Sequence, residues 1–409
     1  MKWSHDLRQY AVITGNYWAF TLTDGALRML VVLHFHQLGF TPMQVAMLFL
    51  FYEIFGIVTN LFGGWLGARI GLNRTMNIGL LLQVTALSML LVPGPMLTVA
   101  WVMLAQALSG MAKDLNKMSA KSSIKLLLPE DAQGTLYRWV AALTGSKNAL
   151  KGVGFFVGGA LLTWIGFRSA VLVMAVALAF VLLASIFMLR RDLGKAKVKP
   201  KFRDILSKSR SINLLSAARL FLFGARDVWF VVALPVFLAS QLQWSFWKVG
   251  GFLALWVIGY GVVQSLAPWI TGMGTSSPAP DGRVAFSWAS VLALIPALMA
   301  YALYQGSASP AVILIVGLIA FGVVFAVNSS VHSFLIVSYA GRDGVSLDVG
   351  FYYMANAMGR LLGTLLSGWV YQSFGIAACL VVSAVFIALT ALISIALPRG
   401  NPHDERITG

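Results

Sequence analysis

The sequence predicts an all-α membrane protein of about twelve helices, arranged as two six-helix halves. Three observations predict it. Of 409 residues, 59% are hydrophobic and only 11% charged, against about 25% charged in a soluble domain. Apolar runs such as "SAVLVMAVALAFVLLASIFML" (169–189) and "AACLVVSAVFIALTALISIAL" (377–397) exceed the ~18 residues that a helix needs to cross hydrocarbon. A basic stretch, "LRRDLGKAKVKPKFRDILSKSRSIN" (189–213), interrupts them at mid-chain.

Read against Gly, Pro and charge breaks, the apolar runs give spans near 10–33, 43–66, 75–93, 97–120, 135–163 and 168–189 in the first half. The second half gives 212–239, 247–272, 283–305, 310–338, 347–373 and 375–397. The organisation expected is an N-terminal bundle (1–189), a basic linker (190–211) and a C-terminal bundle with a short tail (212–409). The first apolar segment is long and lacks a small-residue cleavage site, so no cleavable leader is expected.

Loop charge sets orientation. The linker holds Arg190, Arg191, Lys195, Lys197, Lys199, Lys201, Arg203, Lys208 and Arg210. Arg69, Arg74, Lys125, Arg283 and Arg342 fall in loops on the same side. Opposite loops such as "FHQLGFTP" and "YQGSASP" have almost no bases, with Arg168 and Lys248 the exceptions. Both termini and the linker are therefore expected in the cytoplasm, and the net charge of +16 is read as this bias rather than as a nucleic-acid surface. The one cysteine, Cys379, permits no intramolecular disulfide and no multi-thiolate site for a soft metal or metalloid. With no G-x-S-x-G, Walker A or metal-ligand pattern, neither enzyme chemistry nor ATP-driven transport is expected, and no cofactor or metal.

Two alignments suggest duplicated halves. "FTLTDGALRMLVV" (20–32) against "FGARDVWFVVALP" (223–235) pairs Asp24 with Asp227. "KGVGFFVGGALLTWIG" (151–166) against "RLLGTLLSGWVYQSFG" (360–375) pairs Lys151 with Arg360, Gly154 with Gly363 and Gly166 with Gly375. Between the second and third spans, "GGWLGARIGLNR" (63–74) resembles the signature loop of the major facilitator superfamily. Gly64, Leu66, Arg69 and Gly71 fit, while Ala68 stands where that loop carries an aspartate.

That resemblance implies a fold of two six-helix halves around a central cavity lined by the first helix of each three-helix unit. The sequence places ionisable residues on those spans, where each costs ~2.5–3.5 kcal/mol unless it faces water or a partner. Asp24 and Arg28 lie on the first span, Lys113, Asp114 and Lys117 on the fourth, Arg226 and Asp227 on the seventh, and His332 on the tenth. Lys147 and Lys151 lie on the fifth, Arg360 on the eleventh and Glu53 on the second. At about 1.5 Å rise per residue, Lys147, Arg226 and Arg360 lie roughly 18–20 Å deep. Lys121 and Lys125 fall at the end of the fourth span, where snorkelling and the helix dipole account for them.

The deep set holds seven bases (Arg28, Lys113, Lys117, Lys147, Lys151, Arg226, Arg360) and four acids (Asp24, Glu53, Asp114, Asp227). An excess of positive charge at that depth calls for an anion. The expected substrate-binding set is therefore Arg28, Lys113, Asn116, Lys117, Lys147, Lys151, Arg226, His332 and Arg360. Asp24, Glu53, Asp114 and Asp227 are expected to balance charge or carry protons.

Beyond the loop motif, "TGNYWAFTLTDGALRMLVVLHFHQLGF" (14–40), "FLFYEIFGIVTNLFGGWLGARIGLNRTMNIG" (49–79), "SGMAKDLNKMSAKSSIK" (109–125) and "LFLFGARDVWFVVALP" (220–235) are similar to the ArsJ family. These are organoarsenical efflux permeases of bacterial arsenic-resistance operons. The resemblance implies export of 1-arseno-3-phosphoglycerate, which glyceraldehyde-3-phosphate dehydrogenase makes when arsenate replaces phosphate, and hence a functional partnership with that enzyme. It also implies a multi-pass protein of the bacterial inner membrane, expected as a monomer and, from the fold, as a proton antiporter. The alternative on the same fold is an importer or antiporter of phosphorylated organic acids, since a basic cavity serves either direction.

Overall fold

A computed structural model describes residues 2–40, 48–189, 193–198, 200–206, 208–274, 278–306 and 309–399. Every regular element among them is helical. In chain order these are α1 (Lys2–Gln37), α2 (Leu50–Ile70), α3 (Leu72–Met89), α4 (Val99–Leu127), α5 (Gln133–Met188) and α6 (Arg210–Phe230). Then follow α7 (Ala233–Ser240), α8 (Phe246–Ser265), α9 (Ala267–Ile270), α10 (Gly282–Gln305), α11 (Pro310–Tyr339) and α12 (Val345–Ser394). Five segments, Gln133–Met188, Arg210–Ser240, Gly282–Gln305, Pro310–Tyr339 and Val345–Ser394, are long and apolar enough to cross a membrane. The start expected for the second span, 43–47, lies outside the described residues.

Local chemistry explains the helix ends. Thr98, Ser209 and Ser245 each accept a backbone N–H three residues on, and Asp281 accepts those of Arg283 and Val284, which satisfies donors that a helix N-terminus leaves open. Two long elements hold two helices each. In α5 the helix breaks at Gly166 (φ 75°, ψ 171°), and in α12 at Gly375 (φ 79°, ψ −177°). Only glycine enters this backbone region cheaply, and these are the two glycines that the half-to-half alignment superposes.

The chain packs into two compact units. One comprises residues 1–132, 146–207 and 340–354; the other comprises 133–145, 208–339 and 355–409. They follow chain order except at the start of α5, which packs with the second unit, and at 340–354, which packs with the first. The first unit's core gathers Phe20, Leu27, Leu30, Phe35, Leu80 and Leu178. The second is built on Trp229, Phe321, Phe325, Leu318 and Leu380, with Trp229 edge-on to Phe321.

Within the first unit the linker lies against the loop that resembles the superfamily signature. The Ala196 N–H donates to the Ala68 carbonyl (2.8 Å), Leu72 N–H to the Leu193 carbonyl (2.7 Å), and Lys197 N–H to Asp343 Oδ1 (2.9 Å). At the position where the resembled loop carries a carboxylate, this chain uses a main-chain carbonyl.

Candidate functional site

In the first unit α1, α2 and α4 bring a charged group together. Gly56 is the enabling residue, because a Cβ there would lie 2.7 Å from Asp114 Oδ2. Its absence admits the Asp114 carboxylate between the helices. Asp114 then sits beside two ammoniums, Lys117 Nζ at 2.5 Å and Lys113 Nζ at 3.7 Å. The Lys113 ammonium also stands 3.9 Å from the centre of the Tyr52 ring. The Tyr52 hydroxyl donates to both oxygens of Asp24, at 2.9 and 3.0 Å. Arg28 pairs with Glu53 at 3.4 Å and lies over the rings of Phe49 and Tyr52.

Asp24 and Asp114 are buried, whereas the Lys113 and Lys117 side chains are 14% and 13% exposed. The two lysine side chains therefore keep more accessible surface than the carboxylate they share. Desolvating an acid this fully is costly without cations beside it, and two are present.

The second unit repeats the arrangement with guanidiniums. Gly359 and Gly363 of α12 meet α6 so closely that a Cβ would lie 2.1 Å from the Leu220 carbonyl or 2.6 Å from that of Gly224. Small residues four apart allow such a crossing, and it carries Arg360 to Asp227. Arg226 Nε donates to Asp227 Oδ1 (2.6 Å) and Arg360 Nε to Oδ2 (3.1 Å). Asp227 is buried; Arg226 and Arg360 are 16% and 29% exposed. Two cations share one carboxylate here as at Asp114.

Lys147 and Lys151 lie one turn apart on α5 of the first unit, both half-buried. The Lys151 carbonyl faces Gly25 of α1, a crossing parallel to that of Gly363 with α6. Asn116 points elsewhere. Its amide donates to the Ala112 carbonyl of its own helix and lies where a Cβ on Gly79 of α3 would meet it at 2.4 Å. His332 is fully buried on α11, and neither ring nitrogen has a hydrogen-bond partner.

The structure corrects one expectation and adds a residue. Lys121 and Lys125 do not snorkel, being 2% and 6% exposed; segment 340–354 packs on their unit, and Tyr353 covers Lys121. Arg219 was missed by the sequence reading. It is 3% exposed and donates to Asn356 Oδ1 (3.0 Å) and to the Ser329 carbonyl and hydroxyl (3.2 and 3.1 Å), with its guanidinium over the Phe223 ring. Its spacing of seven from Arg226 puts both on one helix face, a signal that was available.

Comparisons with known proteins fit this architecture. Residues 13–278 match the family model of the Major Facilitator Superfamily. Among curated proteins no match is found. Among solved structures, the human organic anion transporter MFSD10 (TETRAN) superposes with a TM-score of 0.75 at 16% identity, over 95% of this chain and 99% of that one. The E. coli fucose:proton symporter FucP gives 0.72 at 14%, over 96% and 98%. A bacterial homologue of the iron transporter ferroportin, outward-facing, gives 0.72 at 14%, over 94% and 98%. Identities this low carry the fold alone, but the family model covers well over half of the chain. The chain belongs to the Major Facilitator Superfamily and is a membrane transporter, not an enzyme.

Proposed function

We propose that this chain exports a small, multiply negative organoarsenical, 1-arseno-3-phosphoglycerate, by alternating access and so confers arsenate resistance. The observation that carries the anion class is the pair of two-to-one clusters, Lys113 and Lys117 on Asp114 and Arg226 and Arg360 on Asp227. Each of these two carboxylates is shared by two cations. Guanidinium forks suit the oxygens of a phosphate or arsenate. The fold-level likeness to an organic anion transporter agrees with that class. The arsenical rests on the similarity of the N-terminal and linker-flanking segments to the ArsJ family. A single buried cysteine suits an arsenate ester better than trivalent arsenite, which thiolates bind.

Deletion of the gene from a strain that makes the ester tests the assignment. Arsenate resistance is expected to fall while arsenite resistance stays unchanged; equal sensitisation to both would overturn it. Uptake of labelled 3-phosphoglycerate by vesicles of both orientations separates export from the alternative, import or exchange of phosphorylated acids.

A further inference from the structure

The lysine row on α4 continues beyond the residues assigned above. Lys113, Lys117 and Lys121 recur every four residues, so their side chains share one face about 6 Å apart along the axis. The first two flank Asp114. The third is held differently. Its ammonium lies over the Tyr353 ring, 5.0 Å from the centroid, and Lys117 stands over the same ring at 4.3 Å. One aromatic ring thus stands beside two ammoniums.

Tyr353 is placed to come and go. It is 3% exposed and sits on α12, whose residues up to 354 pack with the first unit while those from 355 belong to the second. The turn bearing Tyr353 docks on α2, where a Cβ on Gly64 would lie 3.2 Å from the Gly350 Cα and the Ser346 hydroxyl donates to the Gly64 carbonyl (2.7 Å). A change of state that withdraws this turn from α2 takes Tyr353 with it. Withdrawal removes the ring from both lysines at once. An aromatic quadrupole attracts an ammonium less strongly than an anion does, so the ring is a partner that an oxyanion can replace.

We propose that Lys121 is an anion-binding residue, the last step of the α4 lysine row, and that Tyr353 is a positioning residue whose ring stops that row by occupying the anion's place over Lys117 and Lys121. The ligand is a tetrahedral oxyanion such as a phosphate or arsenate ester, which rests on the reading above. The test does not depend on that reading.

Membrane vesicles of each orientation are prepared with the full chain carrying Lys121→Cys and Cys379→Ala. They are treated with membrane-impermeant methanethiosulfonates of opposite charge, the sulfonatoethyl and the trimethylammonioethyl reagents, with rates normalised to free 2-mercaptoethanol. With Tyr353 present, labelling is expected to be slow. Tyr353→Leu should speed the anionic reagent by about tenfold, the factor that ~1.4 kcal/mol of lost cover over this position corresponds to. Tyr353→Phe, which keeps the ring face, should behave as the parent. The anionic reagent should outpace the cationic one. If Tyr353→Leu fails to insert, Tyr353→Met is measured in its place. An unchanged rate on removing the ring, or preference for the cationic reagent, would overturn the proposal. Protection by inorganic phosphate but not by 3-phosphoglycerate would support this inference while counting against the substrate assignment, and protection by neither would overturn it.

Discussion

At the scale of single residues, each acid cluster is a place where substrate binding and structural bracing make different predictions. Lys117→Gln alone removes a partner of Asp114 and also a cation for the anion. Combined with Asp114→Asn it strands no carboxylate, and only Lys113 loses its shared acid. We expect export to fall by tenfold or more in both, because an anion at about 4 Å gains roughly 4 kcal/mol per charge at an effective dielectric near 20. Recovery in the double variant would identify a brace. Asp227 allows a second comparison. Arg226→Gln leaves Arg360 on that carboxylate, whereas Asp227→Asn leaves two guanidiniums without their shared acid. Asp227→Asn should therefore be the less stable protein in detergent, by a margin within the ~3–5 kcal/mol of a broken buried pair. A thermal melt in which Arg226→Gln is the weaker of the two would refute that order. The residues involved were legible in the sequence, because ionisable groups inside apolar runs are conspicuous. Their pairing was less so. Arg226 and Asp227 are chain neighbours, which do not face each other on a helix, yet the long arginine side chain folds back to reach. The direction of Asn116 was not legible, since a polar residue beside two lysines on a helix can still face a neighbouring helix such as α3.

At the scale of elements, the glycines explain most of what the runs of apolar residues left open. Gly166 lies in the gap expected between the fifth and sixth spans, and Gly375 opens the expected twelfth; the structure breaks α5 and α12 at these residues with nearly equal dihedral angles. Left-handed backbone costs a residue with a Cβ roughly 1–2 kcal/mol. Gly166→Ala and Gly375→Ala are each expected to lower thermal stability by that order, and by similar amounts because the kinks are equivalent. A melt unchanged in either variant would count against a required left-handed kink. The elements α10 and α11 also match their expected ranges closely, helped by Asp281, Gly306 and Pro310 at their ends. The seventh expected span, 212–239, falls within the membrane-length segment Arg210–Ser240, but its internal break was not foreseen. It divides at Val231 and Val232 into α6 and α7, a break that a uniformly apolar stretch does not advertise.

At the scale of the whole molecule, chain order predicted two halves, and packing gives two units that exchange short segments, 133–145 and 340–354. No local pattern signals such an exchange, because it depends on which helix ends meet rather than on hydrophobicity. It brings Tyr353 over Lys121, a residue that a chain-order reading leaves at a wet helix end. Membership of the Major Facilitator Superfamily follows from residues 13–278. The anion and its direction of travel form the central claim, and one reconstitution addresses both. Liposomes containing the chain are loaded with glyceraldehyde-3-phosphate dehydrogenase, glyceraldehyde-3-phosphate, NAD and arsenate, so that the ester forms only inside. We predict that arsenate and 3-phosphoglycerate accumulate outside together in equal amounts, and that Lys117→Gln or Arg360→Gln abolishes both. Release no greater than from protein-free liposomes, or equal release from the variants, would contradict the claim.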